Sequence, residues 1–172
     1  GKLAIEHVAG ERRGPRRAAE PGAFDVVIAG SGPAGLSAAL ECHRAGLSAV
    51  VLEQGTLSDS IHKYPRKKLL LAEPMKTPLY GDLWVADASK EMLLTVWQQL
   101  IDRTPLDVRT GCRVERIERD DRGFIVHTGE TQVRGDAVVL ALGRRGTPRR
   151  LGVPGEERDG VYHYEGDGRS VP

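Results

Sequence analysis

The amino-acid sequence predicts an α/β fold in which a doubly wound parallel sheet carries a small antiparallel β-meander insertion. Three apolar runs predict the parallel part, at residues 24–29, 49–52 and 136–142. Short apolar runs bounded by turn residues are typical of strands buried on both faces of a parallel sheet. Before the last run, from about residue 106, the pattern changes to short alternating segments separated by turns, which is typical of antiparallel strands.

The first two runs frame a helix that begins in a glycine-rich turn. The turn reads GSGPAG over residues 30–35, and the helix is predicted over residues 33–45. Proline is tolerated in a first helical turn because its missing N–H would have no acceptor within the helix, and Gly46 supplies a left-handed stop. The second run ends in an acid, Glu53. Strand, glycine turn, helix, strand and acid in this order predict a Rossmann-like dinucleotide-binding βαβ unit.

The segments that flank this unit carry weaker signals. Residues 1–23 are rich in Gly, Pro, Ala and Arg and are predicted to be a flexible leader or linker, with a short helix or strand over residues 3–8 as a weaker alternative. Residues 55–86 contain three prolines and no clean period, so we expect a functional loop there. A further helix is predicted to follow Asp87 or Ser89, either of which can cap it, and to end before Pro105. Its apolar stripe is interpreted as core packing and consists of Leu93, Val96, Trp97, Leu100 and Ile101.

The alternating region is predicted to form a meander that precedes the last parallel strand. A short strand is expected at residues 106–109, and the three strands of the meander are expected at residues 113–118, 124–127 and 131–134. The chain is therefore predicted to divide into the leader (1–23), one dinucleotide-binding domain (24–150) and a loop-like crossover linker (151–172).

Composition narrows the class of protein. Of the 172 residues, 40% are apolar and 28% are charged, as in ordinary soluble globular proteins. A formal net charge of +1 without a basic stripe argues against nucleic acid as a partner. Absence of a long apolar run argues against a membrane span. The two cysteines form no Cys-x-x-Cys and the five histidines are dispersed, which argues against a metal site. Because two cysteines do not suggest a secreted disulfide scaffold, a reducing cytoplasm is the predicted location.

The glycine turn has the chemistry that a dinucleotide needs. Gly30 permits the tight turn, Gly32 lets a pyrophosphate approach the backbone, and Gly35 lets helix and strand pack closely. The helix N-terminus offers N–H groups and partial positive charge to the phosphates. Glu53 follows Gly35 by 18 residues, where an acid accepts hydrogen bonds from a ribose diol. An acid there repels a 2′-phosphate, so the pattern fits FAD or NAD better than NADP.

The chain resembles the FAD-binding domain of two-dinucleotide-domain flavoproteins, the thioredoxin reductase-like and flavin-containing monooxygenase-like members of the pyridine nucleotide-disulfide oxidoreductase superfamily. The motifs that carry the resemblance are GSGPAGLSAAL followed by VVLE, the strand DAVVLALG, and the exit GRRGTPRRLGVPGEE. They are similar to the family's glycine turn, to its strand ending in Ala-Thr-Gly, and to its Pro-Gly-Glu crossover. The resemblance covers about residues 24–157.

The resemblance implies a set of residues that hold FAD. They are Gly30, Ser31, Gly32, Pro33, Ala34 and Gly35 at the pyrophosphate, Glu53 and Gln54 at the adenosine ribose, Val114 near adenine, and Ala141 and Gly143 along the cofactor. Leu142 stands where the family has Thr, which removes a hydroxyl contact. Residues 76–84 lie where family members approach the flavin ring. Gly166-Asp167 is similar to the family's ribityl-binding Gly-Asp and is interpreted as linker because no apolar strand precedes it.

Two hypotheses about function follow. The family places a second, NAD(P)H-binding domain after the crossover, and we expect that domain to be absent from this chain. The first hypothesis is the FAD-binding part of an NAD(P)H-dependent oxidoreductase, with hydride passing from nicotinamide to flavin and then to a small-molecule or protein acceptor; a homodimer is compatible with it. The second is a dinucleotide-binding module without turnover of its own. No side chain is singled out as a catalytic acid or base.

Overall fold

A computed structural model of the chain describes residues 1–11, 22–63, 69–70, 75–77, 79–83, 88–129, 131–143, 150–159 and 161. Within these ranges the largest sheet has six strands in the order β7-β2-β1-β10-β9-β8. The helices are α1 (Lys2–Glu11), α2 (Pro33–Arg44), α3 (Asp59–His62) and α4 (Lys90–Arg103). The strands are β1 (Ala23–Ala29), β2 (Ala49–Leu52), β3 (Leu69–Leu70), β4 (Met75–Thr77), β5 (Gly81–Leu83), β6 (Ala88–Ser89), β7 (Asp107–Arg109), β8 (Val114–Asp120), β9 (Gly123–Thr128) and β10 (Thr131–Leu140).

The parallel strands bring their carboxyl ends to one edge of the sheet. Ala29 of β1 stands opposite Leu52 of β2 on one side and Leu140 of β10 on the other. Arg109 of β7 continues the same row beside Leu52. Because β2 and β10 lie on opposite sides of β1, the strand order reverses at β1. A reversal of this kind leaves a crevice at the carboxyl edge, where α/β proteins bind their ligands.

Strand β10 joins the meander to the parallel sheet. Its first half pairs antiparallel with β9 and its second half pairs parallel with β1. The prediction of two separate strands, at 131–134 and 136–142, is therefore wrong. Continuity is possible because Gly135 is buried against Val27, whose Cγ2 atom would lie 2.7 Å from any added Cβ. The meander thus extends the same sheet.

Helix α1 overturns part of the predicted leader. Ile5 is fully buried in a cluster with Val26 and Ile28 of the sheet and with Ala38 of α2. Among the described side chains of α1, Ile5 and Val8 face inward, and two apolar residues give only a weak sequence signal for the helix. The prediction of a flexible segment is wrong for residues 2–11, because tertiary packing stabilises a helix there.

The two helices predicted from sequence are present. Helix α2 ends as expected, with Gly46 at φ 68°. Helix α4 begins at Ser89, whose hydroxyl accepts a hydrogen bond from the Met92 N–H at 3.3 Å. Trp97 of α4 is fully buried in a core cluster with Leu36 of α2. The apolar stripe of α4 is therefore core, as predicted.

Several expectations fall outside the described residues, including Asp87 as a cap and the Gly166-Asp167 pair. Residues 76–84 are described only in part. The division of the chain near residue 150 stays a prediction. Among the helices within the described ranges, none combines the length and apolar character that a membrane crossing requires. Across those same ranges, no group of three or more His, Cys, Asp or Glu side chains is placed to hold a metal ion.

Candidate dinucleotide-binding site

Two of the three motif glycines have a packing reason inside the protein. Gly30 has φ 107°, and a Cβ on it would lie 2.4 Å from the carbonyl oxygen of Ala141. A Cβ on Gly35 would lie 1.9 Å from the carbonyl oxygen of Gly30. Both distances are far below van der Waals contact, so only glycine lets β1, α2 and the end of β10 approach one another as they do.

Gly32 has no such internal reason. A Cβ on this residue would meet nothing within 4 Å, and its backbone, at φ −68° and ψ 179°, suits any residue. Gly32 is the N-cap of α2, and no side chain caps the helix in its place. The open space beside Gly32 is therefore a cradle at a helix N-terminus, which a side chain would fill and a phosphate group fits.

The helix N-terminus supplies the donors for that cradle. The first hydrogen bond within α2 runs from the Leu36 N–H to the Gly32 carbonyl at 3.0 Å. The N–H groups of Ala34 and Gly35 precede it and have no acceptor within the helix, while Pro33 has none to offer. Aligned peptide dipoles add partial positive charge at this end. The end of α2 can thus hold an anion.

Glu53 lies directly beside the turn and is only 7% exposed. Its Oε2 atom accepts two hydrogen bonds from Ser31, one from the backbone N–H and one from the hydroxyl, both at 2.8 Å. Its Oε1 atom accepts the N–H of Gly55 at 3.0 Å. The structure therefore places Ser31 on Glu53. Its backbone N–H is committed to that carboxylate and is not a free donor for a pyrophosphate.

The loop after β2 closes over the turn. The Ser58 N–H donates to the Ser31 hydroxyl, and the Ser58 hydroxyl donates to the Ser31 carbonyl, both at 2.9 Å. The backbone of Glu53 is fixed from the other side, since its carbonyl accepts the Cys112 N–H at 2.8 Å. The loop between β7 and β8 is tied to the same region, because the Gly111 N–H donates to the Gly55 carbonyl at 3.1 Å.

The remaining predicted residues differ in their burial. Gln54 is exposed next to Glu53, and Val114 is half-buried at the start of β8. Ala141 packs on Gly30 and Gly35. Gly143, at φ 68°, is exposed at the carboxyl edge. The fold thus brings together the turn, Glu53 and Ala141.

Sequence reasoning missed Ser58, Gly55 and the side-chain role of Ser31. Ser58 lies 27 residues from Ser31 in the chain, and the only signal around it is a cluster of turn-forming residues, which a loop would also explain.

A cavity of about 190 Å³ opens at the opposite edge of the sheet and is lined in part by Phe24, His43 and Leu106. It does not touch the glycine turn.

Comparisons with known proteins identify the family of the chain. A sequence profile of the family described as pyridine nucleotide-disulphide oxidoreductase matches residues 27–170. The bacilliredoxin reductase Bdr of Bacillus subtilis (strain 168) is 26% identical over 147 residues, which are 83% of this chain and 45% of that protein. The thioredoxin reductase of Treponema pallidum is 30% identical over 139 residues, 77% of this chain and 39% of that protein.

Solved structures confirm the predicted α/β fold. The bacillithiol disulfide reductase Bdr (YpdA) of Staphylococcus aureus superposes with a TM-score of 0.72 at 24% identity, over 82% of this chain and 45% of that one. A thioredoxin reductase of Gloeobacter violaceus gives a TM-score of 0.57 at 29% identity, over 79% of this chain and 39% of that one. The chain spans less than half the length of these relatives. The profile match over most of the sequence shows that the chain belongs to the pyridine nucleotide-disulphide oxidoreductase family.

Proposed function

We propose that the chain is the FAD-binding part of an NAD(P)H-dependent flavoprotein oxidoreductase. The observation that carries the proposal is the cradle at Gly32, where glycine answers no packing need of the protein itself. A residue kept free of a side chain at an uncapped helix N-terminus indicates a ligand with phosphate groups. Family membership and the carboxylate of Glu53 beside the turn support FAD over a simple phosphate.

The described residues fit this cofactor. The N–H groups of Ala34 and Gly35 would hold the pyrophosphate, with Gly32 giving it close access to the backbone. Glu53 would accept a hydroxyl of the adenosine ribose. In this assignment Ser31 acts through Glu53, in contrast to the direct contact that the family resemblance implies.

Family members couple this cofactor to redox chemistry. When bound, FAD accepts a hydride from reduced nicotinamide and passes the electrons on. The names of the relatives, bacilliredoxin reductase, thioredoxin reductase and ferredoxin--NADP reductase, favour a redox protein as the acceptor. We propose a cytoplasmic location for the protein and an ability to form a homodimer. We propose no nucleic-acid partner.

Flavin reconstitution tests the proposal directly. The purified chain is incubated with FAD, freed of excess cofactor, and examined for the visible absorbance of oxidised flavin at one equivalent per chain. We expect a yellow protein with stoichiometric FAD. A correctly folded chain that stays colourless under these conditions would contradict the assignment.

A second candidate function is a dinucleotide-binding module without turnover. The observation that favours it is the site itself, since the groups that the structure describes there serve binding alone, the cradle at Gly32 for phosphate and Glu53 for a ribose. An anaerobic titration separates the two functions, with dithionite as the control that reduces any bound flavin. Loss of the flavin absorbance with NADH or NADPH supports the oxidoreductase. Loss with dithionite alone supports the module.

A further inference from the structure

A buried polar network ties the glycine turn to the loop after β2. The Ser31 hydroxyl donates to Glu53 and accepts from the Ser58 N–H. The exposed fractions of Ser31, Glu53 and Ser58 are 0, 7 and 1%. Polar side chains are rarely buried to this extent unless their partners are fixed. The network therefore holds three segments of the chain in one arrangement.

Ser58 adopts an unusual backbone conformation to take part. Its φ of 53° and ψ of 41° are left-handed, which L residues avoid. Its hydroxyl does not cap the helix α3 that follows. Instead, this conformation directs both its N–H and its hydroxyl at Ser31. Strain that is maintained by specific hydrogen bonds at a ligand site is often part of the function of that site.

The network sets which oxygen of Glu53 remains available. Each oxygen of an ionised carboxylate can accept about two hydrogen bonds. Oε2 already accepts two from Ser31, whereas Oε1 accepts one, from Gly55, within the part of the chain that the structure describes. Oε1 is therefore the oxygen with acceptor capacity for a further donor.

We propose that Ser31 is a positioning residue, which occupies Oε2 and so presents Oε1 of Glu53 to a hydroxyl group of the adenosine ribose. Ser58 holds the Ser31 hydroxyl in the required direction through its N–H. Ser31 does not touch the nucleotide in this scheme. The inference rests on the proposed dinucleotide site and adds the residue that sets its preference for a ribose over a sugar without hydroxyls.

The test compares two nucleotides, ADP and 2′,3′-dideoxy-ADP, by titration calorimetry on the full chain freed of nucleotide. The ratio of their dissociation constants measures the contact between Glu53 and the ribose. We expect about tenfold or more tighter binding of ADP in the unmodified protein, and a ratio near one in Glu53→Gln. Ser31→Ala should lower the ratio by about three- to tenfold, while dideoxy-ADP affinity changes less than about twofold.

The chain offers a matched control at the far edge of the sheet. Ser48 donates its N–H and its hydroxyl to Oδ2 of Asp25, at 2.7 and 2.9 Å, in the same pattern that Ser31 forms with Glu53. Ser48→Ala removes an equivalent hydrogen bond away from the turn and should leave the ratio unchanged. If Ser31→Ala does not fold, Ser31→Cys replaces it, with a smaller loss of the same sign.

The outcomes separate this inference from the proposed function. An unchanged ratio in Ser31→Ala overturns the inference, and so does a proportional loss of affinity for both nucleotides, which would indicate a purely structural role. Equal binding of the two nucleotides by the unmodified protein also overturns it while leaving the dinucleotide site intact. Binding of neither nucleotide by the unmodified protein refutes the dinucleotide site itself, and the inference with it.

Discussion

The substitution Gly32→Val separates ligand binding from folding more cleanly than any other change in the turn. The Cβ of residue 32 would point into open space, with nothing within 4 Å. The backbone of Gly32 already lies in a region that valine adopts readily, at φ −68°. We therefore expect the variant to fold normally, with a free energy of unfolding within about 0.5 kcal/mol of the unmodified value.

The effect on binding should be large because the methyl groups occupy the phosphate cradle. A hydrogen bond between an amide and a charged group contributes about 1.5–3 kcal/mol. Displacing the pyrophosphate from the N–H groups of Ala34 and Gly35 removes about two such bonds. The loss of about 3–6 kcal/mol of binding free energy corresponds to a dissociation constant for FAD that is roughly 10²- to 10⁴-fold larger.

The assay pairs FAD titration with urea denaturation of the cofactor-free protein. Gly35→Ala is the contrasting variant, because its Cβ would lie 1.9 Å from the Gly30 carbonyl oxygen and must displace backbone. We expect Gly35→Ala to lose stability and binding together, and Gly32→Val to lose binding alone. Undiminished FAD affinity in Gly32→Val would refute the reasoning, as would a loss of stability equal to that of Gly35→Ala.

Three further predictions concern packing and ionisation. Ile5→Ala should lower the free energy of unfolding by about 2–4 kcal/mol, because Ile5 is fully buried between α1 and the sheet; an unchanged urea midpoint would mean that α1 is not packed. Burial, with smaller effects of Asp25 and Glu41, raises the pKa of the Cys42 thiol to about 12. A raised folded-state pKa gives stability that is present below the thiol's ordinary pKa and is lost as the pH rises toward 12. Cys42→Ala should therefore lose less stability than the unmodified protein as the pH rises, measured as the urea midpoint at several alkaline pH values. Equal slopes of midpoint against pH in the two proteins would contradict the raised pKa. The hydrogen bond from Arg134 and then that from the Arg122 N–H hold the pKa of Asp120 below its usual value. The small stability that ionised Asp120 contributes is present above the usual carboxyl pKa and is lost as the pH falls through the lowered pKa. Asp120→Asn should make the urea midpoint less dependent on pH in the acid range. The same acid dependence in the variant and the unmodified protein would argue against the Asp120–Arg134 pair.

The sequence-based predictions succeeded where the interactions join residues that are close together in the chain. The helix after the glycine turn was predictable because Pro33 and Gly46 act through their own backbone geometry. The cap at Ser89 was predictable because it acts on Met92, three residues away. The position of the acid Glu53 was predictable because the length of a βαβ unit fixes its place after the turn, and its contact with a ribose stays a prediction.

Predictions that depended on distant contacts were less complete. Helix α1 was only weakly indicated by the sequence, since Ile5 is stabilised by Val26 and Ile28 of the sheet, which are distant in the chain. The continuity of β10 could not be predicted, because a glycine within an alternating run indicates a break as readily as a close approach. Gly135 proves to be the second case, since Val27 packs where its side chain would lie.

The sequence by itself determined the kind of site this protein carries. A strand, a glycine turn, a helix and an acid at fixed spacing define the local backbone geometry of a dinucleotide cradle, because each of these features depends on near neighbours. Only the tertiary structure decided how the site is held. It showed that Gly30 and Gly35 serve packing whereas Gly32 answers no packing need, and that Ser58 is hydrogen-bonded to Ser31, which is hydrogen-bonded to Glu53. These roles depend on atoms brought together from separate loops, and spacing along the chain carries no record of such contacts.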